Sequence, residues 1–98
     1  MGQPIEIVGV TQLDDVAMFD TDRSITGQDG RSYATSEEAA AEDLFPAHLA
    51  GRIFEGVSGV DHVFIASNQV VIRRPGGWDD SGTDAARRII TDFFIFYD

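Results

Sequence analysis

Histidine is the side chain best suited to proton transfer or metal ligation near neutral pH, and this chain has two, His48 and His62. Cysteine is absent, so thiolate metal sites and thiol nucleophiles are excluded. A zinc site would need three or four convergent ligands, and cysteine is unavailable to supply any of them. His62 lies between Asp61 and Val63 in an alternating stretch, so it points away from both neighbours. The acid pairs Glu37-Glu38, Glu42-Asp43 and Asp79-Asp80 have the residue type for general acid–base work, which needs two carboxyls held across a substrate. Adjacent residues on a helix diverge, so these pairs read as caps and solvated faces. Asp20-x-Asp22-x-Ser24 begins like a calcium loop, but the sixth position is Ile25 rather than glycine and the twelfth is Arg31. No phosphate-cradling glycine motif and no GxSxG nucleophile turn occurs.

The strongest interaction candidates are Arg73, Arg74 and Trp78. Arginine offers a planar fork for carboxylates, and tryptophan offers large contact area. A purely internal use of the same residues is the competing reading, with Trp78 covering the core where the last helix starts. His48 and His62 stand behind them as weaker acid–base or ligand candidates. No cofactor or metal is expected.

Seventeen acids face seven basic residues, all arginine, for a net charge of -10. Nucleic-acid binders carry a large basic footprint, and Arg73-Arg74 is too small to make one. The acidity fits a solvated surface screened by salt, or a face for a basic partner. No early run has the length of a membrane span or the basic-then-apolar order of a signal segment. The expectation is a cytoplasmic protein without nucleic-acid or membrane partners. With 98 residues the chain has room for one domain, 1–98.

The elements that must position these residues follow from patterning. Ile5 to Val10 alternates and is β-branched, so it predicts a strand, with Gly9 marking a bulge or an end. Asp15 to Phe19 predicts a second strand. Asp20 to Thr35 is polar, has a turn signal at Gln28-Asp29-Gly30, and leaves room for a brief extended stretch in RSYAT. Thr35 or Ser36 caps a short helix, and Thr35 with Glu38 has capping-box spacing. Pro46 separates that helix from a second one, over about Ala47 to Phe54. Val60 to Ala66 and Gln69 to Arg73 predict a hairpin turning at Ser67-Asn68. A last helix starts between Asp80 and Thr83, with Ala86, Ile89, Ile90, Phe93, Phe94 and Tyr97 on its buried face. The terminal FFIFYD is dense enough in strand formers to finish extended. The predicted order is β-β-α-α-β-β-α: an α+β, two-layer α/β sandwich with a four-stranded antiparallel sheet and three helices on one face.

Leu49-Ala50-x-x-Ile53-Phe54, then Val57-x-Gly59-Val60-x-x-Val63-Phe64-Ile65, then Val70-Val71-Ile72 and Trp78 resembles the N-terminal domain of the Nfu family of iron–sulfur cluster scaffold and carrier proteins. The match covers about half the chain well. The resemblance implies a two-layer α/β domain with an accessory role beside cluster assembly or delivery. It implies a cluster-carrying or client protein as partner. That family ligates its cluster through a CxxC in a separate C-terminal domain, and this sequence has no cysteine, so cluster ligation is not carried over. The TPNPN-like stretch of the family before its second strand is replaced here by Thr11-Gln12-Leu13-Asp14-Asp15. The leading expectation is a non-enzymatic adaptor. The alternatives are a small enzyme built on His62 or His48 with nearby carboxylates, and a homo-oligomer joined by the aromatic C-terminus.

Overall fold

The structure is a computed structural model and describes residues 6–22 and 30–97. The elements are β1 (Ile7–Leu13), β2 (Val16–Thr21), β3 (Arg31–Tyr33), α1 (Ser36–Ala40), α2 (Phe45–Gly56), β4 (His62–Ala66), β5 (Gln69–Arg73) and α3 (Asp80–Tyr97). Among the described residues the fold is α+β, with one open antiparallel sheet of five strands in the order β1-β2-β5-β4-β3, and three helices. The expected four-stranded sheet is therefore corrected to five. The added strand is β3, inside the RSYAT stretch, where Arg31, Ser32 and Tyr33 pair with Ile65, Phe64 and Val63.

Strand alternation sorts the sheet residues onto two faces. Ala17, Phe19, Val70, Ile72, Val63, Ile65 and Tyr33 are buried in one cluster with Leu49, Ala50 and Ile53 of α2 and Ala86, Ile90 and Phe93 of α3. The register shifts between Ile7 and Gly9, so the glycine marks a bulge and the strand runs on to Leu13. The first turn is correspondingly later than expected, at Asp14, whose φ of 55° places it in the left-handed region that aspartate tolerates. Ser67 turns the second hairpin with φ 54°.

The starts of α1 and α3 follow side-chain caps. Thr35 accepts the Glu38 N–H at 3.0 Å, and Glu38 Oε1 reaches back to the Ala34 N–H at 3.3 Å. Pro46 sits in the first turn of α2. At α3, Asp79 Oδ1 accepts the Gly82 N–H at 2.7 Å. That hydrogen bond, with the Arg74 guanidinium beside it, holds the Asp79 carboxyl below its ordinary range. The aromatic tail is helical to Tyr97 rather than extended. The side chains of Phe94 and Tyr97 lie outside the described residues, as do Ile5, Gln28, Asp29 and the Ser24–Ile25 part of the calcium-like stretch.

Tyr33 ties the short strand to the helices. Its hydroxyl donates to Glu42 Oε1 at 2.8 Å. Burial, with the hydrogen bond and charge of Glu42, pushes the phenol up to about 12. A raised folded value stabilises the protonated form, so its contribution is complete below the ordinary tyrosine range near 10. It is lost as pH rises through about 12. Tyr33→Phe is expected to cost about 1 kcal/mol at neutral pH. It should also remove this alkaline loss, read from unfolding midpoints of the two proteins at rising pH.

Candidate functional site

The structure separates the three interaction candidates. Arg73 and Arg74 are neighbours in and just after β5, so their side chains leave on opposite faces. Arg74 turns toward the helices. Its Nε donates to the Ser58 carbonyl at 2.8 Å, and its Nη1 lies 3.2 Å from Asp79 Oδ1. The guanidinium stacks 5.7 Å from the centre of the Trp78 ring, and the side chain is 18% exposed. Trp78 is half-buried; its Nε1 donates to the Asp15 carbonyl at 2.9 Å, and its ring meets Phe19 edge-on at 6.3 Å. The Arg74 N–H bonds the same Asp15 carbonyl at 2.8 Å. Gly82 makes room for this cluster, since a Cβ there would lie 2.6 Å from Arg74 Nη1. Arg74 and Trp78 thus join the β1–β2 turn, the α2–β4 connection and the start of α3.

Arg73 lies on the sheet face opposite the buried cluster. Its Nε is 3.6 Å from Asp61 Oδ1, with both side chains exposed. His62 sits directly across the β4–β5 pair from it. His48 is elsewhere, on α2, with Nε2 2.8 Å from Asp43 Oδ1. Asp43 is only five residues away, so the pair is local to the start of α2. His48 borders a hollow of about 350 Å³ with Ser36, Glu42, Arg52 and Glu55. The histidines are therefore in different parts of the fold. Among the described residues, no three His, Cys, Asp or Glu side chains come together as a metal site.

Around Arg73 the sheet presents side chains that the sequence reading did not single out. Pairing runs Thr11, Met18, Val71, Phe64, Ser32 across all five strands, and Leu13, Val16, Arg73, His62 in the next row. Directly paired residues share a face and touch their neighbours. Val16, Met18 and Val71 are half-buried, Phe64 is 37% exposed and Leu13 is 72% exposed. They form a continuous apolar stripe on the sheet face opposite the buried cluster. At its β1–β2 end lies a hollow of about 520 Å³, with Leu13, Val16 and Met18 as walls and Asp14, Asp15 and Arg73 at the rim. No ion pair engages Asp14 or Asp15 among the described residues. The sequence did carry a signal for this face. A sheet covered on one side should alternate apolar and polar, whereas VAMF, HVFIA and QVVI keep apolar residues at successive positions.

No helix among the described residues is long and apolar enough to cross a membrane. No protein-family description matches the sequence, and no curated protein is similar to it. The fold is similar to that of protein SAV1430 from Staphylococcus aureus, known from a crystal structure. The TM-score is 0.63 over 86% of this chain and 96% of that one, at 13% sequence identity. The likeness extends to the architecture, a small α+β domain with an open antiparallel sheet.

Proposed function

We propose that this protein is a non-enzymatic docking domain that holds a partner protein on the helix-free face of its sheet. The observation that carries the reading is the apolar stripe of Leu13, Val16, Met18, Val71 and Phe64, which among the described residues lies on the sheet face opposite the buried cluster. Contiguous apolar surface of this kind marks an interaction site more often than isolated exposed side chains do. Arg73, at the centre of the adjoining row, supplies a charged anchor beside it. Arg74 and Trp78 act behind the face, by fixing the β1–β2 turn that forms its end.

The resemblance to the Nfu N-terminal domain favours a partner that carries or receives an iron–sulfur cluster. In this role the domain supplies a surface and no cluster ligand. A cytoplasmic site of action belongs to the same reading, and a two-layer sandwich with all helices on one side is the architecture it requires.

Calorimetry against a cluster-loaded, CxxC-bearing scaffold domain tests it. Val71→Glu places a charge in the stripe and is expected to weaken binding about tenfold or more. Arg73→Glu is expected to weaken it several-fold, with little change in stability. Unchanged affinity in both variants would remove this face from the function.

A further inference from the structure

We propose that the occupant of the open sheet face is a basic amphipathic helix of the partner protein. This rests on the docking role of the face argued above and adds the chemistry of what docks there.

The helical form follows from the backbone. β2, β5 and β4 each have a hydrogen-bonded neighbour on both sides, so their N–H and C=O groups are committed within the sheet. A segment laid on this face receives no ladder bonds and must satisfy its own backbone, as a helix does. An extended peptide would instead add at an edge strand. The size also suits a helix. A six-residue strand such as β2 spans about 20 Å, which roughly 13 helical residues would cover.

The charge follows from what surrounds the stripe. Asp14 and Asp15 stand at the rim of the hollow, Asp20 continues the Val16–Met18 side of β2, and Asp61 flanks Arg73, which is also at the rim and would meet a single acidic residue of the otherwise basic segment. The molecule behind them carries a net charge of -10. A second copy would bring the same charge onto the same face, whereas a basic segment meets complementary charge. The hollow suits one long cationic side chain. Its aliphatic stem would lie along Leu13, Val16 and Met18, and its head would reach the two aspartates.

The probe is a synthetic peptide of roughly four turns with leucine at i, i+3, i+4 and i+7 and lysine elsewhere. Its control has glutamate in place of every lysine. Amide NMR at about 0.15 M salt reads both. The lysine peptide is expected to shift amides of Leu13, Val16, Met18, Phe64 and Val71, and to bind at least about tenfold tighter than the glutamate control. Met18→Glu separates docking from bare attraction. It adds a negative charge, so attraction alone would tighten binding, whereas docking on the stripe predicts a loss of about tenfold. Retained core shifts confirm that the variant is folded. Asp14→Asn with Asp15→Asn is expected to weaken the lysine peptide several-fold.

Equal affinity for the two peptides, shifts confined to the helix layer, or unchanged or tighter binding by Met18→Glu would overturn the inference. Concentration-dependent shifts of the same amides, with sedimentation as a dimer, would assign the face to a second copy and overturn it too. If the lysine peptide fails while the scaffold domain shifts this face, the basic helix is rejected and the docking role stands. If neither moves the face, both fall.

Discussion

Replacing Arg74 by alanine is expected to destabilise the domain by about 2–3 kcal/mol, while Arg73→Ala changes stability by less than about 0.5 kcal/mol. The two residues are adjacent and identical in type, and their surroundings decide the difference. Arg74 is mostly buried, bonds the Ser58 carbonyl and lies over Trp78. Truncation leaves the Ser58 carbonyl without that charged donor and removes the cation from the ring face. The ion pair with Asp79 adds little to the total, because the Asp79 side chain is 66% exposed. Arg74→Lys is expected to recover only a fraction, since a single ammonium cannot reach Ser58 and Asp79 while also stacking on Trp78. At Arg73, the polar interaction lost among the described residues is an exposed pair 3.6 Å long. Denaturant unfolding of the three variants at neutral pH gives the comparison. Equal losses at both positions would show that Arg74 is not the internal tie described here.

Trp78→Ala is expected to cost about 3 kcal/mol, the low end of the range for deleting a large aromatic because Trp78 is half-buried. The ring closes the core above Phe19, which is fully buried, and its loss opens that contact to water. Trp78→Phe should cost only about 1 kcal/mol. It keeps an aromatic face for Phe19 and Arg74 and gives up the indole bond to the Asp15 carbonyl. That carbonyl keeps the Arg74 N–H as a donor, so it is not orphaned. Far-UV circular dichroism follows the unfolding of both variants without relying on the tryptophan signal. A loss for Trp78→Phe as large as for Trp78→Ala would mean that the hydrogen bond, rather than the ring, fixes the β1–β2 turn.

The parts of the fold written in local chemistry were legible. Thr35 and Glu38 announced a capped helix, Pro46 the start of the next, and Ser67-Asn68 the second hairpin. β3 was visible only as a short extended stretch, because three residues pairing with one neighbour leave almost no periodicity to read. The FFIFY tail misled in the opposite direction. Its residues favour strands, but the Ala86, Ile90 and Phe93 stripe buried against the core continues the helix through them. The site was legible in composition and not in geometry. Arg73, Arg74 and Trp78 stood out as types, and strand alternation already implied that the two arginines diverge. That Arg74 would find Ser58 and Asp79 depends on two connections meeting in space, which no local pattern records. The apolar stripe was legible only as an excess, because Met18, Val71 and Phe64 exceed what one buried face requires.

The claim that partner binding uses the helix-free face is tested most directly by an amide NMR titration of the labelled protein with a cluster-loaded, CxxC-bearing scaffold domain. Shifts gathered on Leu13 to Met18, Phe64, Val71 and Arg73, with the amides of Leu49 to Ile53 unmoved, are the expected result. Shifts gathered instead along α2 or around His48, or no shifts at saturating scaffold, would contradict the account.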